Sequence, residues 1–264
     1  MNRDSKPDWV TIAAIGVVVY LLKNVAHEGL GHGLTSILLG GKPVALSSAW
    51  WSGDLSALSA WQVRAVKAGG TVMNLVLGLA CALAAHRYRR RNHLRYGLWL
   101  CAVVSLLMGG GYLMVDPLGG FGDWTAFVKG LEPAWLWRAG LTATGVGISL
   151  GALFWGRRTI GWFAGEDPSG WQGTAKWLCL TPYFVGGGVV AGSALLNPEG
   201  MKYAFTSALA NFGGAAWLVW LAFWVPDQTE PQPAPELGRS KAWLAAGAIA
   251  AAVIVGVLGP AIRF

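Results

Sequence analysis

Residues 9–39 read WVTIAAIGVVVYLLKNVAHEGLGHGLTSILL, an almost unbroken hydrophobic run. Two histidines and a glutamate, His27, Glu28 and His32, lie in its second half. A transmembrane helix needs only about 20 apolar residues, so the run is long enough to cross a membrane. Ionisable side chains are costly at membrane depth and usually mark a functional site. We therefore expect a membrane-spanning helix that carries such a site.

The composition of the whole chain indicates a helical membrane protein. Of its 264 residues, 54% are hydrophobic and 12% are charged, whereas soluble domains carry about 25% charged residues. The apolar runs predict an all-α fold, a polytopic transmembrane helical bundle of about 6–7 spans. The expected spans are Trp9–Leu39, Val63–Ala85, Tyr96–Val115, Trp135–Trp155, Ala175–Leu196, Tyr203–Val225 and Ala242–Ala261.

Two segments interrupt the helical pattern. Residues 42–62 are less hydrophobic and partly alternating, which predicts a small non-helical element or β-hairpin after the first helix. Residues 226–241 contain Pro-Gln-Pro-Ala-Pro, which predicts a flexible Pro-rich linker. We expect residues 1–225 to form a membrane-embedded core and residues 242–264 to add a C-terminal transmembrane helix.

The net charge of +7 indicates an excess of Lys and Arg in the loops between the spans. It does not indicate a nucleic-acid interface, since the sequence has no basic face interleaved with aromatic residues. The densest cationic loop, His86–His93, predicts a cytoplasmic position for that loop and for the N-terminus. We expect a multi-pass protein of the bacterial inner (plasma) membrane, surrounded by lipid. The cysteines form no CxxC pair, so neither a disulfide framework nor a thiolate zinc site is indicated.

The spacing of the histidines decides whether they can share a metal ion. Zinc proteases use H-E-x-x-H, with histidines four residues apart and the Glu as general base. Here His32 stands five residues after His27, about 140° around a regular α-helix. One extra residue accommodated as a π-bulge would return both to one face. Gly29, Gly31 and Gly33 permit that distortion.

A second geometry needs no distortion, because Glu28 and His32 are already four residues apart and could both be ligands. A structural polar cluster without a metal is the third alternative. A metal site also needs a further ligand, and Asp116 and Asp123 follow the third span at the end where His32 is expected. The sequence alone leaves open which of these two carboxylates is the further ligand.

Three stretches of the chain resemble the site-2 protease family of intramembrane zinc metalloproteases, and especially its M50B-like members. They are His-Glu-Gly-Leu-Gly-His-Gly-Leu at 27–34, Ala-Gly-Gly-Thr-Val-Met-Asn-Leu-Val-Leu-Gly at 68–78 and Gly-Phe-Gly-Asp-Trp at 120–124. The resemblance covers roughly residues 10–130. The chain departs from the family in its atypical HExxxH spacing and in lacking the Leu-Asp-Gly form of the aspartate motif.

The resemblance implies that Glu28 activates water and that Asn74 orients the substrate backbone or the water. It implies Zn²⁺ bound by His27, His32 and Asp123, with Asp116 as the fallback ligand. The expected activity is cleavage of peptide bonds in transmembrane or membrane-associated proteins. Two alternatives are a metal-dependent enzyme acting on a lipid or other hydrophobic small molecule, and a catalytically inactive binding or chaperone protein with a protease-like fold.

Overall fold

The computed structural model describes residues 7–163, 170–198, 201–224 and 235–264. The helices in these ranges are α1 Trp9–Asn24, α2 Thr35–Leu38, α3 Ala60–Arg87, α4 His93–Gly119, α5 Gly122–Val128, α6 Ala134–Thr159, α7 Trp171–Ser193, α8 Met201–Ala208, α9 Trp217–Phe223 and α10 Lys241–Ala252. The strands are β1 Lys42–Leu46, β2 Trp51–Asp54 and β3 Ile262–Arg263. Three segments are π-helical, Val25–Leu34, Leu209–Gly213 and Val253–Leu258. Short 3₁₀ turns lie at Ile160–Phe163 and Ala194–Leu196.

Within the described ranges, seven helical segments are long and apolar enough to cross a membrane. They match the seven apolar runs of the sequence, and the predicted all-α bundle of six to seven spans is confirmed. The spans are Trp9–Leu38, Ala60–Arg87, His93–Gly119, Ala134–Phe163, Trp171–Leu196, Ala204–Phe223 and Lys241–Leu258. The chain is therefore an integral membrane protein by the length and composition of its helices.

The third span, α4, is the centre of the bundle, and most of its residues are buried. Small residues set its contacts with the neighbouring helices. A Cβ on Gly110 would lie 2.4 Å from the Ser149 hydroxyl of α6. A Cβ on Gly78 of α3 would lie 2.7 Å from Leu106. Close backbone approach of this kind is how helices associate in lipid, where no hydrophobic force drives them together.

The first helix is held between two later spans. A Cβ on Gly16 would lie 2.7 Å from Pro182 of α7, and a Cβ on Gly247 of α10 would lie 2.6 Å from Ala14. Its N-terminus is capped by Asp8, whose carboxylate accepts a hydrogen bond from the Thr11 amide at 3.0 Å. These contacts fix the helix that leads directly into the π-helix at Val25.

The segment after the first span forms the predicted hairpin. β1 and β2 pair antiparallel, with Leu46 opposite Trp51. The hairpin tip reaches back into the bundle, where the Asn24 amide donates to the Ser48 carbonyl at 2.6 Å and Ser48 contacts Ser193 of α7 at 2.8 Å. A third strand was not expected from the sequence: β3 pairs with the other edge of β1, giving the order β2-β1-β3.

Part of the predicted linker at 226–241 lies outside the described residues, namely 226–234. The described residues 235–241 make packed contacts with the bundle, and the flexibility of the linker stays a prediction. Leu237 is fully buried and its carbonyl accepts a hydrogen bond from the Asp8 amide at 2.9 Å. His93 contacts the Gly238 carbonyl at 2.7 Å. These contacts attach the start of the last span to the end of the bundle that carries the arginine-rich loop.

That end of the bundle is basic and rich in aromatic rings. The Arg95 guanidinium lies 3.9 Å from the Trp162 ring centroid, and that of Arg157 lies 4.3 Å from the Trp224 ring centroid. Such contacts pair a cation with the face of an aromatic ring. The hairpin and α5 occupy the opposite end. The cytoplasmic assignment of the basic end stays a prediction.

Candidate metal centre

The π-helix Val25–Leu34 brings the two histidines together. The Nε2 atoms of His27 and His32 are 3.3 Å apart although the residues are five positions apart in sequence. Hydrogen bonds from residue i to i+5 place residues at that spacing on one face. The distortion expected from the sequence is confirmed, and it extends over ten residues rather than a single bulge.

Glycines on both sides of the contact make room for the imidazoles. A Cβ on Gly31 would lie 2.4 Å from the Gly70 Cα of α3, so only glycine lets the two backbones come this close. A Cβ on Gly70 would lie 2.5 Å from His32 Nε2 and 2.7 Å from His27 Nε2. The space in which the two rings converge is therefore created by α3 as much as by the π-helix itself.

Asp123, the second residue of α5, completes the group. Its Oδ2 lies 3.2 Å from His32 Nε2, and its Oδ1 lies 3.2 Å from Lys67 Nζ. One ligand atom each from His27, His32 and Asp123 lie within 4.8 Å of one another. Both histidines are buried, and the Asp123 side chain is 24% exposed. The group can hold a metal ion.

The electrostatic surroundings keep Asp123 ionised. Burial raises the pKa of its carboxyl, but the hydrogen bond from His32 and the charges of His32 and Lys67 outweigh burial. The pKa therefore lies below its ordinary value. An ionised carboxylate is the form that a divalent cation requires.

Asp116, the other carboxylate considered as a ligand, has a different role in the structure. Its Oδ2 accepts a hydrogen bond from the Trp124 amide at 3.4 Å, so it caps the start of α5. Gly122, with φ 75°, lets the carboxylate pack against the backbone. The structure brings Asp123, and not Asp116, to the two histidines.

The second nitrogen of each imidazole is held by α3. His32 Nδ1 lies 2.7 Å from the Val66 carbonyl oxygen, an acceptor, so Nδ1 carries the proton. His27 Nδ1 lies 3.1 Å from Asn74 Nδ2. Asn74 Oδ1 is buried and has no hydrogen-bond partner within the described residues. Because the two ends of an amide are interchangeable by a flip, Asn74 can accept from His27 Nδ1–H through Oδ1.

These contacts fit a bound metal. When both Nδ1 atoms donate, a cation can replace the proton through which His32 Nε2 bonds Asp123 Oδ2, because the two Nε2 atoms, 3.3 Å apart, then both offer lone pairs to it. Two imidazole nitrogens and one carboxylate oxygen are a common set for zinc with an open position. Asn74 is fully buried and contacts His27, so it can orient that imidazole; its expected role towards the substrate or the water stays a prediction.

Glu28 follows His27 directly and is 8% exposed. It is not one of the three converging side chains, so the alternative set of Glu28 with His32 is not the one that the structure assembles. In the parts of the chain that the structure describes, its carboxylate forms neither a hydrogen bond nor an ion pair. The charge of this buried carboxylate interacts with those of His32 and Asp123, and the carboxylate is available to carry a proton.

Three aromatic or charged neighbours of the site were missed by the sequence reasoning. The Tyr112 ring stacks on His27 with centroids 4.7 Å apart, and Trp51 of β2 stacks over His32 at 6.3 Å. Lys67 pairs with Asp123. The available signal for Lys67 was a cation inside an apolar span, three residues before Gly70. Nothing in the sequence distinguished Tyr112 or Trp51 from other aromatic residues.

Comparison of the chain with protein-family models, curated proteins and solved structures gave no match. The fold and the site define the class: an integral membrane protein with seven long apolar helical segments in its described ranges and a His-His-Asp group able to hold a metal ion. The activity and the identity of the metal are proposals from this arrangement.

Proposed function

We propose that the protein is a membrane-embedded zinc-dependent hydrolase, similar to site-2 proteases, that cleaves peptide bonds of membrane-associated substrates. The observation that carries the proposal is the convergence of His27, His32 and Asp123 on one point, with the buried carboxylate of Glu28 close enough for its charge to interact with those of His32 and Asp123. The sequence resemblance and this geometry involve the same residues. Zinc in such a site acidifies a bound water to a pKa near ~7 and polarises a carbonyl.

In this proposal, different residues bind the ion, orient its ligands and transfer the proton. His27, His32 and Asp123 bind the ion, while Val66 and Asn74 fix the orientation of the imidazoles. The Glu28 carboxylate takes the proton of the attacking water and delivers it to the amide nitrogen that leaves. Because the histidines and Glu28 are buried, competing solvent is largely excluded from their side.

The hairpin supplies a place for an extended substrate. In the described parts of the chain, β2 pairs only with β1, so its outer edge keeps backbone donors and acceptors available. Trp51 of β2 lies over His32, which puts this edge beside the site. A substrate helix must be unwound before its peptide bonds are reachable. We propose that the unwound segment adds to β2 as a further strand.

Metal analysis of purified protein is the first test. We expect about one zinc per chain in the wild type, as a structural or catalytic site requires, and its loss in His27→Ala, His32→Ala and Asp123→Ala. Asp116→Asn is the matched control, because it changes a nearby buried carboxylate outside the group. A folded wild type without metal would overturn the proposal. Iron instead of zinc would redirect it to oxygen chemistry, since two histidines and a carboxylate also suit Fe(II).

The activity is tested with Glu28→Gln, which should keep the metal and lose turnover. New protein N-termini would be mapped by mass spectrometry in cells that express the wild type or the variant. Cleavage sites within membrane spans that appear only with the wild type support proteolysis. Identical sets of N-termini, together with a wild-type phenotype for Glu28→Gln, would indicate a binding protein, and a changed lipid profile would indicate a small-molecule substrate.

A further inference from the structure

One face of α3 contacts the site at successive turns. The Val66 carbonyl meets His32, Gly70 leaves space for both imidazoles and Asn74 meets His27. The Lys67 ammonium projects from the same stretch and reaches Asp123 Oδ1 at 3.2 Å. Among the described residues of this face, only Lys67 contacts the carboxylate of Asp123, the proposed third ligand.

We infer that Lys67 is a positioning residue that holds Asp123 in the orientation a metal needs; the inference rests on the metal centre proposed above. The two oxygens of Asp123 have different partners. Oδ1 is held by Lys67 and Oδ2 is directed at His32 Nε2, each at 3.2 Å. An ion pair on one oxygen fixes the plane of the carboxylate and leaves the other oxygen for the ion.

The position of α5 does not depend on Lys67, because other contacts hold the helix. The Trp124 indole donates to the Thr71 hydroxyl at 2.9 Å. The Arg64 guanidinium donates to the carbonyl oxygens of Phe127 and Lys129, each at 2.9 Å. Lys67 contacts only the Asp123 carboxylate of α5 in the described structure. Its effect should therefore fall on the ligand and not on the fold.

Two effects of opposite sign would follow from removing the ammonium. Repulsion between Lys67 and the bound ion would disappear, which favours binding. The carboxylate would also lose the partner that orients it, and loss of such outer contacts typically weakens metal binding by about 10–100-fold. Lys67 is 33% exposed, so solvent screens the repulsion, whereas the orientation of Asp123 depends on direct contact. We expect the loss of orientation to dominate.

The test is a titration of the purified full chain with Co²⁺, followed by the visible absorption of the bound ion. Lys67→Met should weaken Co²⁺ binding by about 10–100-fold, and Lys67→Arg should restore most of the affinity. Lys129→Met is the matched control, since it removes one positive charge at the end of α5 away from the site. Should Lys67→Met not yield folded protein, Lys67→Gln replaces it.

A double-mutant cycle with Asp123→Asn, which keeps a side-chain oxygen able to bind Co²⁺ weakly, separates positioning from a structural effect. If Lys67 acts through Asp123, then Lys67→Met should have little further effect on Co²⁺ affinity in the Asp123→Asn background. An equal loss in both backgrounds, or unchanged or tighter binding in Lys67→Met, would overturn the inference while leaving the metal centre intact. Absence of Co²⁺ binding by the wild type would instead remove the metal centre, and the role of Lys67 with it.

Discussion

At the scale of a single residue, Gly70 shows how little space the site leaves around the two imidazoles. A side chain at this position would occupy the space in which His27 and His32 converge. The residue is part of a small-residue motif of the second span, and the sequence marked the motif without indicating which atoms it accommodates. Only the three-dimensional contact distinguishes Gly70, which faces the imidazoles, from a glycine that merely lets helices pack.

We predict that Gly70→Ala abolishes metal binding. Its Cβ would lie 2.5 Å from His32 Nε2, so one imidazole must move away from the position it shares with the other. Overpacking of this kind also costs about 1–3 kcal/mol of stability. The measurement is metal content together with thermal unfolding of the purified variant. Gly188→Ala in α7 is the control, because a Cβ there meets no atom within 4 Å. Full metal content in Gly70→Ala would contradict the geometry of the site.

The identity of the site residues was largely predictable at this scale. His27 and His32 were selected because ionisable groups are rare in membrane spans, and the two candidate aspartates because a metal site needs a further ligand. The choice between Asp116 and Asp123 was not predictable. It depends on the turn at Gly122, which directs one carboxylate into the helix cap and the other towards the histidines.

At the scale of the element, the π-helix compensates for the spacing of the histidines, which is one residue longer than in the usual zinc-binding α-helix. The extra residue between Glu28 and His32 is accommodated by bonds from i to i+5, so the histidines still meet. We predict that deletion of Leu30 converts this segment to an α-helix and retains Co²⁺ binding, since histidines four residues apart share a face of an α-helix. Leu30 is exposed at the bundle surface, so the deletion removes no buried side chain.

The matched variant inserts one alanine after Leu30 and should lose Co²⁺ binding, because neither helical form then aligns the histidines. Both proteins would be titrated with Co²⁺ under the same conditions. A folded deletion variant that binds no metal would show that the exact π-helical backbone, and not only the meeting of the histidines, is required.

The hairpin illustrates what local sequence can and cannot specify about an element. Alternating residues at 42–62 predicted β1 and β2, because period-two patterning is a local signal. β3 contains only Ile262–Arg263 and pairs with β1 across more than two hundred positions of sequence. A strand that short carries no pattern of its own, so its pairing depends on where the last span ends.

At the scale of the whole molecule, composition and hydropathy were sufficient to predict the bundle. Long apolar helices follow from the cost of unsatisfied backbone groups in lipid, so each span appears in the sequence as an apolar run. The arrangement of the spans around α4 was not predictable, because it depends on which small residues meet. The contacts that residues 235–240 make with the bundle were also not predictable, because they depend on three-dimensional packing.

We predict that the arginine-rich loop faces the cytoplasm. Lys and Arg are retained on that side of a membrane, and residues 86–93 are the densest basic loop. A phosphatase that is active only after export, fused after Arg91, should be inactive. The same fusion after Leu58, in the loop beyond the hairpin, should be active. Activity at Arg91 with inactivity at Leu58 would reverse the orientation, and equal activity at both would contradict the span between them.

The third strand also has a consequence for the order in which the molecule is made. β1 is synthesised early, yet one of its edges is paired by residues that are made after all seven spans. Until then, the hairpin beside the histidines has an incomplete sheet and is not attached to the end of the last span. A nascent chain therefore completes the sheet next to its His-His-Asp group only after residues 262–263 have been translated, so the last step of assembling this end of the protein follows insertion of the spans into the membrane.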